Sequence, residues 1–387
     1  MRFIHTSDWH LGRPLHLVGM LDAQATFLDW LVDLVRSEAV DAVVVSGDIY
    51  HRALPSPDTV GLLSDAVTRL VDTGAQVVLT SGNHDSAIRL GFAARLLERA
   101  GLHIRTHLEG STRPIPVGDG VIHAVPYLEP SLAMGVVGAR EATHADVLRA
   151  ALARLPRDTR AQPGQSVVMA HAFVAGSVTS ASERDISVGG VSAVPAAIFD
   201  DFGYAALGHL HRPQHVTERV RYSGSPWAMD FSEADDSKSV SLVELRDGIP
   251  RVALHATPVV RPMAVLRGEL EALMVDPAHT WAEAAWCQVH LTDALRPIGA
   301  WDRLRRRFPH LLDLHFDPLG LAVETTRYAV RTRSSRTPRE VCLDFLGHVR
   351  GTPASEDERI LIDRALEATR LGIATTEDER GVARGVA

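Results

Sequence analysis

Five short polar clusters in this sequence combine carboxylate, amide and imidazole side chains that could bind divalent metal ions. They are Asp8-x-His10, Gly47-Asp48, Gly82-Asn83-His84-Asp85, a single His171, and His209-x-His211. Oxygen and nitrogen ligands without thiolates suit a mid-row ion such as Mn²⁺ or Fe²⁺. In an extended chain, the i, i+2 spacing of the first and last clusters would point both side chains to one face. The clusters therefore predict metal-dependent chemistry.

Each cluster, taken alone, also has a simpler interpretation. An Asp-x-His triplet occurs by chance, Gly-Asp after a strand is typical of a turn, and a lone histidine is commonly a hydrogen-bonded structural group. Gly-Asn-His-Asp at 82–85 is more informative, because a turn uses Gly-Asn but has no need of the following His-Asp. The order of all five clusters, each after an apolar run, favours a single metal site.

The apolar runs before the clusters predict the strands that position them. These strands are Phe3–His5, Ala42–Val45, Gln76–Leu79, Ser166–Met169 and Tyr204–Leu207. Apolar residues at three- and four-residue spacing predict helices over Ala25–Ser37 and Thr59–Thr73. This alternation predicts an α/β domain whose strand ends gather at one edge, where such folds place their sites. Further strands at 121–126, 219–223 and 239–245 extend this domain over residues 1–260.

The sequence after Pro258 and Pro262 changes character and predicts further modules. Residues 263–333 read as a small α+β domain, with strands at Trp286–Leu291 and Leu311–Phe316 and a helix at Pro297–Arg307. Capping boxes at 337–340 and 355–358 predict a helix pair over 337–371, ahead of a disordered tail at 373–387. The apolar stripes of so short a pair cannot both be buried within it, so we expect a partner.

Composition excludes several classes of protein. The chain has 387 residues, 45% of them hydrophobic, a net charge of −8 and two cysteines. A disulfide framework and a Cys-rich zinc module are excluded, and we expect a reducing cytoplasm. No signal peptide and no membrane segment is predicted. The acidity argues against non-specific coating of nucleic acid but not against local phosphate binding. All basic residues except Lys238 are arginine, which indicates genome composition.

The five clusters match, in order, the five motifs of the calcineurin-like metallophosphoesterases, and the sequence resembles that superfamily. Within it, the chain is similar to the SbcD family, the nuclease subunits of bacterial SbcCD complexes. Segments outside the metal motifs also carry this resemblance, namely 5–12, Ser182-Glu183-Arg184, 204–214, Tyr222–Pro226, and Phe231-Ser232-Glu233 with Lys238-Ser239-Val240. It is specific over about residues 1–245, weaker in the second module and mostly positional in the tail.

The resemblance implies a four-layer α/β/β/α sandwich with a capping domain at 263–333 and a C-terminal helix pair. It also implies two Mn²⁺ ions, with Mg²⁺ or Fe²⁺ as alternatives. One ion would be held by Asp8, His10, Asp48 and His211, and the other by Asp48, Asn83, His171 and His209. Asp48 would bridge the two ions, an arrangement that suits in-line attack on a phosphodiester.

The resemblance assigns a catalytic role to His84, which would contact the scissile phosphate and protonate the leaving 3′ oxygen. The alternative is that His84 only orients a ligand. Asp85 would orient His84 or His10. His51 and Arg52 could contact phosphate or lie in a solvated turn. Arg303 and Arg306, in the run 303–307, could contact the DNA backbone or form a solvated helix face.

The function implied is that of a DNA nuclease in repair, recombination and replication. The expected activities are an ATP-dependent 3′–5′ exonuclease on duplex ends and an endonuclease on hairpins and single strands. ATP would be used by the partner ATPase, SbcC, which docks on the helix pair, and a homodimer of this chain would form a heterotetramer near the nucleoid. Two other hypotheses remain: a phosphoprotein phosphatase or cyclic-nucleotide phosphodiesterase, and a catalytically silent binding subunit.

Overall fold

The computed structural model describes residues 1–156, 164–183, 193–318, 338–350 and 352–366. The chain divides into two compact units, residues 1–318 and 319–387. Several sequence predictions lie outside the described residues: Arg184, the end of the second module at 319–333, Thr337 and the tail at 373–387. All three sheets belong to the first unit.

The first sheet is built around three parallel strands that each precede a polar cluster. Its strands are β1 (Arg2–Thr6), β2 (Ala42–Ser46), β3 (Gln76–Thr80), β4 (Leu102–Arg105), β11 (Ser239–Arg246) and β12 (Ile249–Ala256). Their order is β12-β11-β1-β2-β3-β4, with β1 to β4 parallel and β11 antiparallel to both its neighbours. The parallel core brings the ends of β1, β2 and β3 to one edge.

The second sheet supplies the remaining clusters. Its strands are β5 (Ile115–Val117), β6 (Gly120–Ala124), β7 (Ser166–His171), β8 (Tyr204–Gly208), β9 (Gln214–His215) and β10 (Val220–Tyr222). Their order is β5-β6-β7-β8-β10-β9, with β6, β7, β8 and β10 parallel. The edge strands β5 and β9 run antiparallel to their neighbours.

Helices cover the outer faces of these two sheets, which pack face to face. The helices of this region are α1 (Leu21–Glu38), α2 (Pro57–Val71), α3 (Ala87–Leu90), α4 (Ala94–Leu97), α5 (Leu108–Ser111), α6 (Pro130–Val137) and α7 (His144–Ala153). Alternate residues of β2 separate the layers, because Val43 and Val45 pack with α1 and α2 whereas Ala42 and Val44 pack with the second sheet. Leu148 of α7 packs on the outer face of that sheet. The predicted mixed α/β fold is confirmed.

A third, three-stranded parallel sheet follows in the chain and has a core of its own. It consists of β13 (Met263–Gly268), β14 (Trp286–Leu291) and β15 (Leu311–Phe316), with α8 (Leu270–Val275) and α9 (Ala300–Arg307). Leu266, Val289, Leu304 and Phe308 are buried together between sheet and helices. The two strands predicted here are present, whereas the helix begins at Ala300 rather than Pro297. A capping role for this module stays a prediction.

The second unit contains two described helices, α10 (Pro338–Arg350) and α11 over residues 356–366. The predicted capping box at the start of α11 forms: Ser355 N–H donates to Glu358 Oε2 at 2.8 Å, and Glu358 N–H donates to Ser355 Oγ at 3.4 Å. An Arg339–Asp363 ion pair of 2.6 Å links the two helices. Among the helices that the structure describes, none combines the length and apolarity needed to span a membrane.

Candidate metal centre

The polar clusters meet at one edge of the paired sheets. The loops after β1, β2 and β3 come from the first sheet, while His171 ends β7 and His209 follows β8 in the second. Backbone hydrogen bonds join the first two loops, from Asp8 N–H to Gly47 O (3.1 Å) and from His10 N–H to Asp48 O (2.9 Å). This is the strand-end location that the sequence predicts for the site.

The backbone of these loops is not extended. Asp8, His10, Asp48 and His209 all have positive φ, at 52°, 40°, 51° and 104°. The rationale that i, i+2 spacing in extended chain aligns each pair is therefore wrong. Their side chains converge because left-handed turns redirect the chain directly after each strand, a strained conformation that clusters at functional sites.

Two glycines allow the loops to approach this closely. A Cβ on Gly47, which has φ of +86°, would lie 2.4 Å from Nδ1 of His171. A Cβ on Gly82 would lie 2.1 Å from Oδ1 of Asp48. Both glycines are required because any side chain would occupy the space of a predicted metal ligand.

Asp48 lies at the middle of the cluster. Its Oδ2 is 3.4 Å from Nε2 of His10 and 3.5 Å from Nε2 of His171, so one oxygen faces both halves of the centre. Its Oδ1 accepts a hydrogen bond of 2.9 Å from the backbone N–H of His84. This is the placement that the predicted bridging role requires.

The other predicted ligands surround Asp48 on both sides. On one side, Oδ1 of Asn83 is 2.9 Å from Nε2 of His171, whose ring centroid is 5.4 Å from that of His209. On the other side, the Nε2 atoms of His10 and His211 are 3.2 Å apart. Ligand atoms of Asp8, His10 and His211 lie within 4.8 Å of one another, as do those of Asp8, Asp48 and His171. All seven predicted ligand residues are thus brought together.

The electrostatics of the cluster fit a divalent cation. Burial and the neighbouring Asp48 charge raise the pKa of Asp8 well above its usual range. Burial and the adjacent histidines hold the pKa of His10 and His209 well below the ordinary value, which keeps both imidazoles neutral, the form that binds metal. A cation between the carboxylates would offset their mutual repulsion, so the residues present fit the ions that the resemblance implies.

Hydrogen bonds at the far side of two ligand rings fix which nitrogen faces the centre. Nδ1 of His171 contacts the backbone carbonyl of Ser46 at 2.9 Å, so Nε2 faces Asp48. Nδ1 of His211 contacts Oγ of Ser182 and lies 3.4 Å from Oε1 of Glu233. Such partners orient metal-binding histidines and raise their basicity.

Sequence reasoning gave no role to Ser182, Glu183, Glu233 or Lys238. Glu183 accepts a 2.8 Å hydrogen bond from the backbone N–H of His211, and the buried Glu233 pairs with Lys238 at 2.6 Å. Two signals could have found them. These residues lie in segments that resemble the SbcD family, and Lys238 is the single lysine of the chain.

The residues around position 84 form the open side of the centre. His84 lies against His10, with ring centroids 4.8 Å apart, and its Nδ1 contacts the carbonyl of His51 at 2.9 Å. The two rings of His51 and His84 stack at 5.6 Å, and burial together with the Arg13 charge lowers the pKa of His51 to about 4. Arg52 is exposed and lines a cleft of about 500 Å³ with His51.

The prediction that Asp85 orients His84 or His10 is wrong: among the described residues, its carboxylate contacts backbone instead of an imidazole. Its carboxylate accepts hydrogen bonds from the backbone N–H groups of Ile49 (3.0 Å), Tyr50 (2.9 Å) and Gly82 (2.9 Å). Burial and the nearby Asp48 charge raise its pKa to about 7. Asp85 therefore holds the loop after β2 against the loop after β3.

The arginine run of α9 divides into paired and exposed residues. Arg303 forms an ion pair with Glu271, and Arg307 pairs with Glu283 at 3.0 Å. Arg306 is exposed. Within this run, Arg306 rather than Arg303 is available to a polyanion, and DNA contact by either residue stays a prediction.

One of the comparisons with known proteins, that with protein families, agrees with this site. The family model for calcineurin-like phosphoesterases matches residues 1–213, more than half of the chain. One solved crystal structure aligns with 66% of this chain and 99% of its own, at 12% identity and a TM-score of 0.39. A crystal structure of a β-glucosidase from Exiguobacterium marinum aligns with 82% of this chain and 89% of its own, at 10% identity and a TM-score of 0.21. Structural similarities this weak carry no argument.

Paired sheets with carboxylates, an amide and imidazoles gathered at their common edge define a metal-dependent phosphoester hydrolase. The chain belongs to the calcineurin-like phosphoesterase family. The predicted metallophosphoesterase class, its hydrolase chemistry and its dependence on a divalent metal are thereby confirmed.

Proposed function

We propose that this chain is the nuclease subunit of an SbcCD-type complex and that it hydrolyses DNA phosphodiesters with two Mn²⁺ ions. The phosphoester chemistry follows from the family, and the finer assignment needs an observation specific to this chain. That observation is the location of the segments that resemble the SbcD family outside the metal motifs.

Those segments converge on one predicted ligand. Glu183 accepts from the backbone N–H of His211, and Ser182 and Glu233 face its ring nitrogen. Lys238 donates to the backbone carbonyl of the same residue at 2.9 Å. The segments that resemble the SbcD family outside the metal motifs therefore contain residues that position a predicted metal ligand. This supports the proposal that this chain shares its substrate class with that family, and not its fold alone.

The chain's own residues account for orientation and proton transfer. When bound, two divalent ions would acidify a water and offset negative charge on the phosphodiester. Asp8, His10, Asp48 and His211 would hold one ion, and Asp48, Asn83, His171 and His209 the other. The Asp85 carboxylate holds together the two loops that carry Asp48 and Asn83, since it accepts hydrogen bonds from the N–H groups of Ile49 and Tyr50.

His84 is the proposed general acid. Its Nδ1 donates to the carbonyl of His51, which leaves Nε2 as the nitrogen that exchanges a proton with the leaving 3′ oxygen. The adjacent cleft, with Arg52 on its wall, offers a positive group for a neighbouring phosphate. His84 is held at its backbone N–H by the carboxylate of Asp48 and at Nδ1 by the carbonyl of His51, which leaves Nε2 for the substrate and supports a catalytic role over a ligand-orienting one.

The proposed partners follow the same assignment. Phe345 and Leu361 are 52% and 62% exposed on the C-terminal helices, an apolar surface that suits docking on the ATPase SbcC. ATP would be bound by that partner. A homodimer of this chain, DNA as substrate, a capping role for residues 263–333 and a cytoplasmic, nucleoid-associated location complete the proposal.

Comparing substrates tests the assignment directly. The full chain, loaded with Mn²⁺ alone and with its ATPase partner, should cleave a DNA hairpin and a blunt duplex far faster than p-nitrophenyl phosphoesters or cyclic nucleotides. The Asp48→Ala variant, prepared identically, controls for contaminating nuclease. Turnover confined to small phosphoesters would favour a phosphatase or cyclic-nucleotide phosphodiesterase. Two bound ions without turnover on any substrate, even with the partner, would indicate a binding subunit.

A further inference from the structure

Lys238 is the one basic residue of this chain that is not an arginine. The sequence has 40 lysines and arginines, and 39 of them are arginine. Lys238 is also buried, with 7% of its surface exposed. The other 39 basic positions of the chain all have arginine. A lysine at this buried position therefore indicates a requirement that a guanidinium does not meet.

The contacts of Lys238 show what that requirement is. Its Nζ donates to Oε2 of Glu233 at 2.6 Å, to the carbonyl of His211 at 2.9 Å and to Oγ of Ser225 at 3.1 Å. An ammonium has three donors, and each has an acceptor here. A planar guanidinium, with two more nitrogens, could not direct its donors to three groups around a single point.

Glu233, the partner of Lys238, reaches the ring of the same histidine. It is fully buried, and its Oε1 lies 3.4 Å from Nδ1 of His211 and accepts a 3.0 Å hydrogen bond from Oγ of Ser180. Burial raises its pKa, but the nearby Nδ1 of His211 and the Lys238 charge outweigh burial and hold the pKa below its usual value. Lys238 and Glu233 thus hold both the backbone and the ring of His211.

Stability does not explain a pair of this kind. Removing two charges from water is costly, and buried ion pairs can often be replaced by apolar residues without loss of stability. Breaking such a pair by removing one partner is destabilising, because the other charge is left unpaired. The pair therefore calls for a role in geometry rather than in the free energy of folding.

We propose that Lys238 and Glu233 act as one positioning unit that directs Nε2 of His211 toward a metal ion. Nε2 is the nitrogen opposite the one that faces Glu233, and it is the atom 3.2 Å from Nε2 of His10. The inference rests on the proposed two-ion centre. It identifies what sets the affinity for metal of one site, the site formed by Asp8, His10, Asp48 and His211. Asn83, His171 and His209, which would hold only the other ion, have no contact with Lys238 or Glu233 among the described residues.

The test uses the full chain, stripped with chelator, and titration with Mn²⁺ alone in a calorimeter. Glu233→Gln and Lys238→Met should each weaken one of two Mn²⁺ sites by about 10–100-fold, the usual effect of losing a group that orients a ligand. The second site should keep its affinity. Lys238→Arg should weaken the same site as Lys238→Met, because it keeps the positive charge but not the geometry of the three hydrogen bonds.

A matched control lies in the same segment. The backbone N–H of Asp236 donates to the carbonyl of Glu233 at 3.0 Å, and its carboxylate lies 3.9 Å from Nζ of Lys238 and pairs with Arg212. Among the described residues, that carboxylate contacts neither the carboxylate of Glu233 nor the ring of His211. Asp236→Asn should therefore leave both Mn²⁺ affinities unchanged. An equal loss in this control would show that any perturbation of the loop weakens the metal and would overturn the inference.

A double variant separates positioning from folding. Glu233→Gln with Lys238→Met leaves no unpaired charge, so it should recover the melting temperature lost by Lys238→Met. It should not recover Mn²⁺ affinity, because the carboxylate beside His211 is still missing. Recovery of both together, or wild-type affinity in Glu233→Gln, would overturn the inference. If the unmodified chain itself fails to bind two Mn²⁺ ions, the proposed function fails instead.

Discussion

The two halves of the metal centre orient their histidines in different ways. His171 is held through its Nδ1 by a backbone carbonyl, that of Ser46 at 2.9 Å. His211 is held through its Nδ1 by the side chains of Ser182 and Glu233. A backbone acceptor cannot be removed by any single substitution, whereas a side-chain acceptor can be removed or tuned. We therefore expect the His171 half to be the invariant part and the His211 half the adjustable part.

The largest effect should come from the residue that belongs to both halves. Asp48→Ala should abolish binding of both Mn²⁺ ions and reduce activity to background, because its carboxylate faces His10 and His171 together. The fold should survive, since Asp48 lies beyond the end of β2 rather than in the core. Calorimetry with Mn²⁺ beside far-ultraviolet circular dichroism checks both statements. Two ions still bound would show that Asp48 is no bridge.

His84→Ser should leave both halves intact and slow only the chemistry. Loss of one general acid costs about 10²–10⁴-fold in rate. We expect normal Mn²⁺ stoichiometry, near-complete loss of exonuclease activity on a blunt duplex and a smaller loss on a hairpin, where the substrate can distort to place its leaving group. Single-turnover rates measured beside metal occupancy decide between the two roles. Reduced occupancy that accounts for the lost rate would assign His84 to orientation of a ligand.

The hydrogen bond that orients His171 can be disturbed through the backbone beside its acceptor, Ser46. Gly47→Ala should displace the His171 ring, since the added Cβ would lie 2.4 Å from Nδ1. A displacement of this size costs about 10²-fold in rate. Gly74→Ala is the matched control, because Gly74 has a similar φ of +92° but nothing within 4 Å of its Cβ. Equal losses in both variants would mean that backbone strain, rather than contact with His171, is responsible.

The smallest effect on the centre should come from deleting residues 337–387. Residues 1–318 form a compact unit of their own, so Mn²⁺ binding should be unchanged. Association with the ATPase should be lost, because the exposed apolar residues of α10 and α11 are removed. Co-purification of the truncated chain with the ATPase at normal stoichiometry would contradict this docking site.

Local patterns in the sequence predict the strands that carry the clusters and the capping box of α11. They work because a buried parallel strand is a continuous apolar run and because a capping box needs only residues three positions apart. The same patterns miss β12 (Ile249–Ala256), an edge strand whose residues are mostly exposed and which therefore shows no apolar run. They also miss α6 and α7, which are short.

The supporting residues of the centre are beyond any local pattern. Glu233 is brought to His211 by the turn that follows Asp230, and Ser182 reaches the same ring from a loop 29 residues upstream. Asp85 is not among the predicted ligands, and its backbone partners depend on how two loops fold together. Contacts of this kind are fixed by tertiary structure, not by spacing along the chain.

The hydrogen bonds of 3.0 and 3.1 Å from the N–H of His209 to the Asp8 carboxylate join residues 201 positions apart, in different sheets. At a synthesis rate of about 5–20 residues per second, roughly 10–40 s therefore separate the synthesis of Asp8 from that of His209. Until the second sheet docks, the first sheet carries Asp8 and Asp48 without the imidazoles of residues 171, 209 and 211. Binding of the proposed metal ions would therefore be a late event that follows docking of the two sheets, and the ions would stabilise an assembled fold rather than nucleate it.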